Sequence, residues 1–88
     1  MQFEFNGMLM RTVGNQHTVA VEADTLGDAL AELASQFPHM KRILLDNSGQ
    51  LRQAHRILLN GEFVTRPGNG LPLSAQDRVE FFTAIAGG

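Results

Sequence analysis

Between Asp24 and Pro38 the apolar residues obey a single spacing. Leu26, Ala29, Leu30, Leu33, Ala34 and Phe37 fall at i, i+3, i+4, i+7, i+8 and i+11, which lays them in one stripe along an α-helix. Asp28, Glu32, Ser35 and Gln36 lie outside the stripe. Asp24 or Thr25 can accept a hydrogen bond from an orphan N–H at the helix start, and Thr25 with Asp28 approximates a capping box. Gly27 costs about 1 kcal/mol against alanine, which the stripe outweighs. Pro38 stops the helix.

Such a stripe has to be buried against something, and the other strongly periodic segments have period two. Gln2 to Met10 alternates Phe3 and Phe5 with Gln2, Glu4 and Asn6, and reads as a strand that Gly7 interrupts as a bulge. After the Gly14-Asn15-Gln16 turn, His17 to Ala23 reads as a second strand, paired with the first in a hairpin. His39 to Asp46 is a short apolar run, read as a helical turn and broken at Asn47-Ser48-Gly49. His55 to Leu59 and Glu62 to Thr65 flank Asn60-Gly61, the strongest short hairpin signal. Pro67 to Gly70 is a loop, and Arg78 to Phe82 is the last strand.

Two hairpins, one helix between them and a closing strand predict an α+β domain, with the helix packed across one face of a mixed sheet. The predicted core is Phe3, Phe5, Val19, Val21, Leu30, Leu33, Ile57, Leu59, Val79 and Phe81. Phe82 follows Phe81 in a strand and must point to the other face. There it either offers a docking aromatic or fills a secondary cluster near Phe63. At 88 residues the chain holds one small domain, and its 43% hydrophobic content suffices for a core. A domain of this size buries only about 60 to 65% of the surface its unfolded chain exposes.

Composition removes several kinds of chemistry. With no cysteine, a disulfide scaffold, a thiol nucleophile and Cys-ligated metal are excluded. Seven basic and nine acidic residues give a net charge of −2 without any run of like charge, which argues against a nucleic-acid partner. No apolar stretch approaches the ~20 residues of a membrane helix, so no membrane partner and a cytoplasmic location are expected. His17, His39 and His55 lie on different elements without metal-ligand spacing. Asp28 and Glu32 belong to a solvated helix face, and the serines lack a nucleophile-elbow context. The chain is expected to be a non-catalytic partner in someone else's reaction, with no metal and no stably bound cofactor.

The remaining feature is the end, where the last strand runs into Thr83-Ala84-Ile85-Ala86 and stops at Gly87-Gly88. Two terminal glycines would occur by chance in roughly 0.5% of chains. A terminus without side chains can thread a narrow channel, and six extended residues from Thr83 reach ~20 Å. The chemistry there is that of an α-carboxylate, a poor electrophile until it is activated. An acyl-adenylate supplies AMP as leaving group, and the attacker is then a sulfur donor or an amine. This divides the chain into a domain over 1–82 and a flexible tail over 83–88.

Taken in order, the opening strand, Asp24-Thr25-Leu26 before an apolar helix, Ile57 to Gly61 as strand and turn, and Asp77-Arg78-Val79-Glu80-Phe81-Phe82 running to Ala86-Gly87-Gly88 resemble the ubiquitin-like sulfur carriers. That family is typified by the small subunit of molybdopterin synthase and the thiamine sulfur-carrier protein. The resemblance implies a β-grasp fold and a C-terminal glycine, Gly88, that a partner adenylates with ATP and converts to a thiocarboxylate. It further implies that Gly87, Ala86, Ile85 and Phe82 contact the activator, and that a sulfur-accepting synthase subunit is a second partner. Thr83-Ala84-Ile85 stand where molybdopterin subunits commonly carry Pro-Pro-Val. The length and the insertion around Met40 to Ala54 look closer to molybdopterin and cysteine-synthesis carriers than to thiamine ones. The alternative within the same resemblance is a modifier conjugated through Gly88 to lysines of other proteins.

Overall fold

A computed structural model describes residues 1–52, 55–65 and 67–83. Strand β1 (Gln2–Glu4) is followed by a 3-10 segment (Gly7–Val13) and β2 (Thr18–Ala20). Helices α1 (Leu26–Gln36) and α2 (Pro38–Leu44) come next, and then β3 (His55–Leu59), β4 (Glu62–Val64) and β5 (Arg78–Thr83). The five strands form one mixed sheet in the order β2-β1-β5-β3-β4. The first and last strands, β1 and β5, pair in parallel at its centre, and the remaining pairs are antiparallel. This is the β-grasp arrangement that the resemblance implies.

Alternation along the strands decides what is buried. Phe3, Ile57, Val79 and Phe81 are all buried, together with Leu26, Ala29, Leu30 and Leu33 of α1. Phe81 stacks on Phe3 at 5.2 Å and on Phe5 at 5.5 Å between ring centroids. Three aromatic rings, from β1, the residue just past it and β5, thus fill the space below the helix at the centroid separations aromatic pairs favour. Of the expected core only Leu59 is displaced. It sits at the end of β3 and is half-buried.

Three local expectations are corrected. The opening strand does not run to Met10: it ends at Glu4, and the chain coils into the 3-10 segment after Gly7, whose φ of 60° is left-handed. Phe5 stays in the core because its N–H bonds to the His17 carbonyl at 2.7 Å, one step beyond the β1–β2 ladder. The 3-10 segment plugs the core edge with Val13, and the Thr12 hydroxyl donates to the Leu9 carbonyl and touches the Met40 sulfur. Second, Pro38 both ends α1 and opens α2. Phe37, the residue before it, is driven out of helical geometry, while proline itself fits a first helical turn. Met40 and Leu44 of that second helix are fully buried, so the short apolar run belongs to the core.

The third correction is Gly27. Read alone it weakens the helix, yet a Cβ there would lie 2.7 Å from the Asn69 Cβ. The missing side chain lets the loop before β5 lie against the first turn of α1, where Gly27 and Leu26 donate N–H bonds to Asn69 and Leu71 carbonyls at 2.9 Å. Two orphan amides of the helix start are satisfied in this way, while the Thr25 hydroxyl caps Asp28 as expected.

Candidate functional site

Both helices lie on one side of the sheet, and among the described residues no helix covers the other side. β5 sends Val79 and Phe81 to the covered side and Arg78, Glu80 and Phe82 to the open side. Register places Phe82 opposite Arg56, and Leu58 opposite Glu80 on one flank and Phe63 on the other. Phe82 and Phe63 meet edge to face at 5.9 Å, yet remain 49% and 65% exposed. The two readings of Phe82 therefore combine: it does pair with Phe63, and the pair is still a water-facing aromatic patch with half-buried Leu58 between its strands. Large apolar side chains left in water at a strand end are the usual anchors of an interface.

Around this patch the surface is charged. Glu80 accepts from the Asn6 side-chain amide at 2.9 Å, and Arg78 lies 3.8 Å from Glu4. At the start of β5 a polar clasp fixes where the strand begins. Asn60, left-handed at φ 54° in the β3–β4 turn, donates from Nδ2 to Asp77 Oδ1 at 3.0 Å and accepts at Oδ1 from the Arg78 amide at 3.0 Å. Asp77 Oδ2 also accepts from the Ser74 amide at 2.7 Å. The Asn60 amide first, and the Ser74 N–H second, hold the Asp77 carboxyl below its ordinary range. Asn-Gly announced the turn in the sequence, but its partner seventeen residues on carried no local signal.

The residues considered for catalysis are scattered. His17 and His39 are exposed on separate elements. His55, read as a surface residue, is instead only 8% exposed, with Nε2 2.8 Å from the Ile43 carbonyl oxygen, so it ties the first residue of β3 to α2. Among the described residues no group of three or more His, Asp or Glu could hold a metal ion. Glu32 accepts from Gln36 on the solvated face of α1 at 3.2 Å. The Ser48 hydroxyl donates to Asp46 at 2.6 Å within a tight exposed turn. No helix among the described residues is long and apolar enough to cross a membrane.

Of the residues expected to act, Ile85, Ala86, Gly87 and Gly88 lie outside the described residues. Phe82 lies within them, on the open face, in the strand that leads to them. β5 runs to Thr83, paired with His55, one residue further than the sequence reading had the strand.

The model described as the ThiS family matches residues 3–88 of the chain. No curated protein matches it. Among solved structures the chain is similar to SAMP1 from Haloferax volcanii, at 28% identity and a TM-score of 0.77, covering 99% of this chain and 97% of that one. It is similar to CysO of Mycobacterium tuberculosis at 25% identity and TM-score 0.81, covering 96% and 98% of the two chains. The fold also matches the Amycolatopsis orientalis BexX/CysO complex, at 19% identity and TM-score 0.84, over 99% and 98% of the two chains.

Proposed function

The chain belongs to the ThiS family, and on that premise we propose that it is a sulfur carrier whose Gly88 is adenylated by a partner enzyme and then converted to a thiocarboxylate. One observation carries this reading: the family match runs through residue 88, so it includes the Ala86-Gly87-Gly88 end, and β5, a central strand of the sheet, leads directly into that end. The Gly88 carboxylate attacks the α-phosphorus of ATP, pyrophosphate leaves, and an acyl-adenylate forms. Hydrosulfide then adds to the acyl carbon and expels AMP, which leaves the thiocarboxylate. This chain supplies the carboxylate, the narrow tail and the docking face; the partner supplies ATP and the chemistry.

The activator is of the ubiquitin-activating type, and it meets the open face at Phe82 and the tail at Ile85, Ala86 and Gly87. A sulfur-accepting enzyme is the second partner; that CysO is found in a complex with a second protein, BexX, in the Amycolatopsis structure supports a carrier that works in company. The length and the insertion around Met40 to Ala54 favour molybdopterin-type or cysteine-type use over thiamine-type use, and likeness to CysO adds to the cysteine-type reading. A second reading, conjugation through Gly88 to lysines of other proteins, is favoured by the likeness to SAMP1, a small archaeal modifier protein.

The test is activation of chains altered at the end. Deleting Gly88 retracts the carboxylate by about 3.3 to 3.6 Å, a displacement that a reacting geometry does not tolerate. Gly87→Val places a branched Cβ in the channel. Both variants should melt normally and lose ATP–pyrophosphate exchange with the activating enzyme. Mass spectrometry of the unaltered chain should show one oxygen replaced by sulfur at Gly88, whereas a lysine-linked adduct selects the modifier reading. Normal exchange without Gly88 overturns both.

A further inference from the structure

A basic cleft lies on the helical side, around the C-terminal end of α2. Its volume is about 710 Å³, and Lys41, Arg42, Arg52 and Asp46 line it together with Pro38 and Ser48. All four charged residues are exposed. They give the cleft a formal charge of +2 in a chain whose total is −2, so the rest of the molecule carries −4. The single carboxylate is engaged within its own turn: Asp46 Oδ1 accepts from the Ser48 hydroxyl at 2.6 Å and from the Ser48 and Gln50 amides at 2.8 and 3.1 Å. The exposed cations of the cleft thus outnumber a carboxylate whose Oδ1 is already occupied by three donors of its own turn.

Backbone bonds fix the cleft beside the point where the tail leaves. Arg52 Nε donates to the Arg42 carbonyl at 3.2 Å, and the Arg52 amide donates to the Leu44 carbonyl at 2.7 Å. The His55 amide in turn donates to the Arg52 carbonyl at 3.0 Å. His55 is the residue paired with Thr83, the last described residue of β5. His55 thus links Arg52 of the cleft to Thr83 of β5, although cleft and aromatic patch lie on opposite sides of the sheet.

We propose that this cleft is a second docking surface, for an acidic segment of the protein that takes the tail. The proposal rests on the tail being handled by a partner, as argued above. A partner that surrounds residues 84–88 has to pass the edge at Thr83 and His55, and there it meets the aromatic patch on one side and the cations on the other. Opposite charge at this point steers the encounter and fixes orientation, in a way that salt weakens.

Two measurements test it. In NMR titrations of the whole chain, a deca-glutamate peptide should shift the backbone amides of Lys41, Arg42 and Arg52 and leave those of β2 unmoved, with the shifts lost in high salt. No shift overturns the proposal, as does stronger binding of ATP or of oligo-deoxythymidine at the same amides. Movement of these amides on deletion of Gly87 and Gly88 also overturns it, because the occupant is then the chain's own carboxylate. In ATP–pyrophosphate exchange, Arg42→Glu with Arg52→Glu should raise the KM for the chain about tenfold, leave kcat unchanged and flatten the salt dependence. Arg11→Glu, an exposed cation of the 3-10 segment that belongs to neither surface, should change neither. If the double variant is activated like the unaltered chain, the cleft has no part in docking while the sulfur-carrier reading stands. If no form of the chain is activated, that reading fails, and with it the partner assigned to the cleft.

Discussion

Phe81 and Phe82 are neighbours in one strand with the same side chain, and they differ in everything that follows from direction. Phe81 lies under the helices against Phe3 and Phe5, only 3% exposed. Phe82 lies on the open face against Phe63 and stays about half in water. The pair teaches that one strand of this fold serves two ends at once: its inward residues hold the sheet to the helices, and its outward ones present a surface beside the tail.

The largest expected effect is on the covered side. Phe81→Ala should destabilise the domain by about 3–5 kcal/mol, since it removes a ring that two others pack on. That is a large share of the ~5–15 kcal/mol typical of a whole domain, and it should lower Tm by tens of degrees. Calorimetry checks it; a Tm within a few degrees of the unaltered chain would mean that the three-ring stack is not the keystone of the core.

Phe82→Ala should do the reverse. Loss of one exposed edge-to-face contact costs about 1 kcal/mol or less. Activation should suffer instead, with a KM for the chain about tenfold higher in ATP–pyrophosphate exchange. A large fall in Tm with normal KM would show that the Phe63–Phe82 pair is structural and would erase the contrast between the faces.

The smallest effect concerns the clasp that starts β5. The Asp77 carboxyl is lowered from an ordinary value of 3.8 by the Asn60 amide and the Ser74 N–H. A depressed pKa in the folded state adds stability that is present above the ordinary value and is lost as pH falls through the folded one. Asp77→Asn should therefore lower Tm slightly near neutrality, and the gap from the unaltered chain should close below the folded pKa. A gap that persists in strong acid would show that the carboxylate's charge is not what the clasp uses.

The sequence made some of this legible and hid the rest for identifiable reasons. The α1 stripe and the alternation of Phe3, Val79 and Phe81 are periodic signals, and each led directly to burial. The outward turn of Phe82 followed from alternation alone. Gly27 misled because its reason is the loop at Asn69, distant in sequence. His55 misled because nothing local tells a surface histidine from one whose ring nitrogen meets the Ile43 carbonyl. The segment after Gly7 looked like more strand because Met8, Leu9 and Met10 are apolar in any conformation, and the 3-10 coil follows from packing on α2. The cleft of Lys41, Arg42 and Arg52 was hidden for the same reason: ten residues separate its two arginines, and the fold brings them together.

The position of β5 has a mechanical consequence. It is bonded to β1 in parallel over Gln2–Glu4 and to β3 over five residue pairs from His55 to Leu59. A partner that draws the tail into its channel pulls along the axis of β5, and both ladders then carry the load in shear. Several hydrogen bonds on either side must fail together, rather than one after another as at a peeling edge strand. A strand at the sheet's rim, such as β2 or β4, would meet the same pull with one ladder only. On the function proposed above, a carrier gripped by its last residues would be released with its domain still folded.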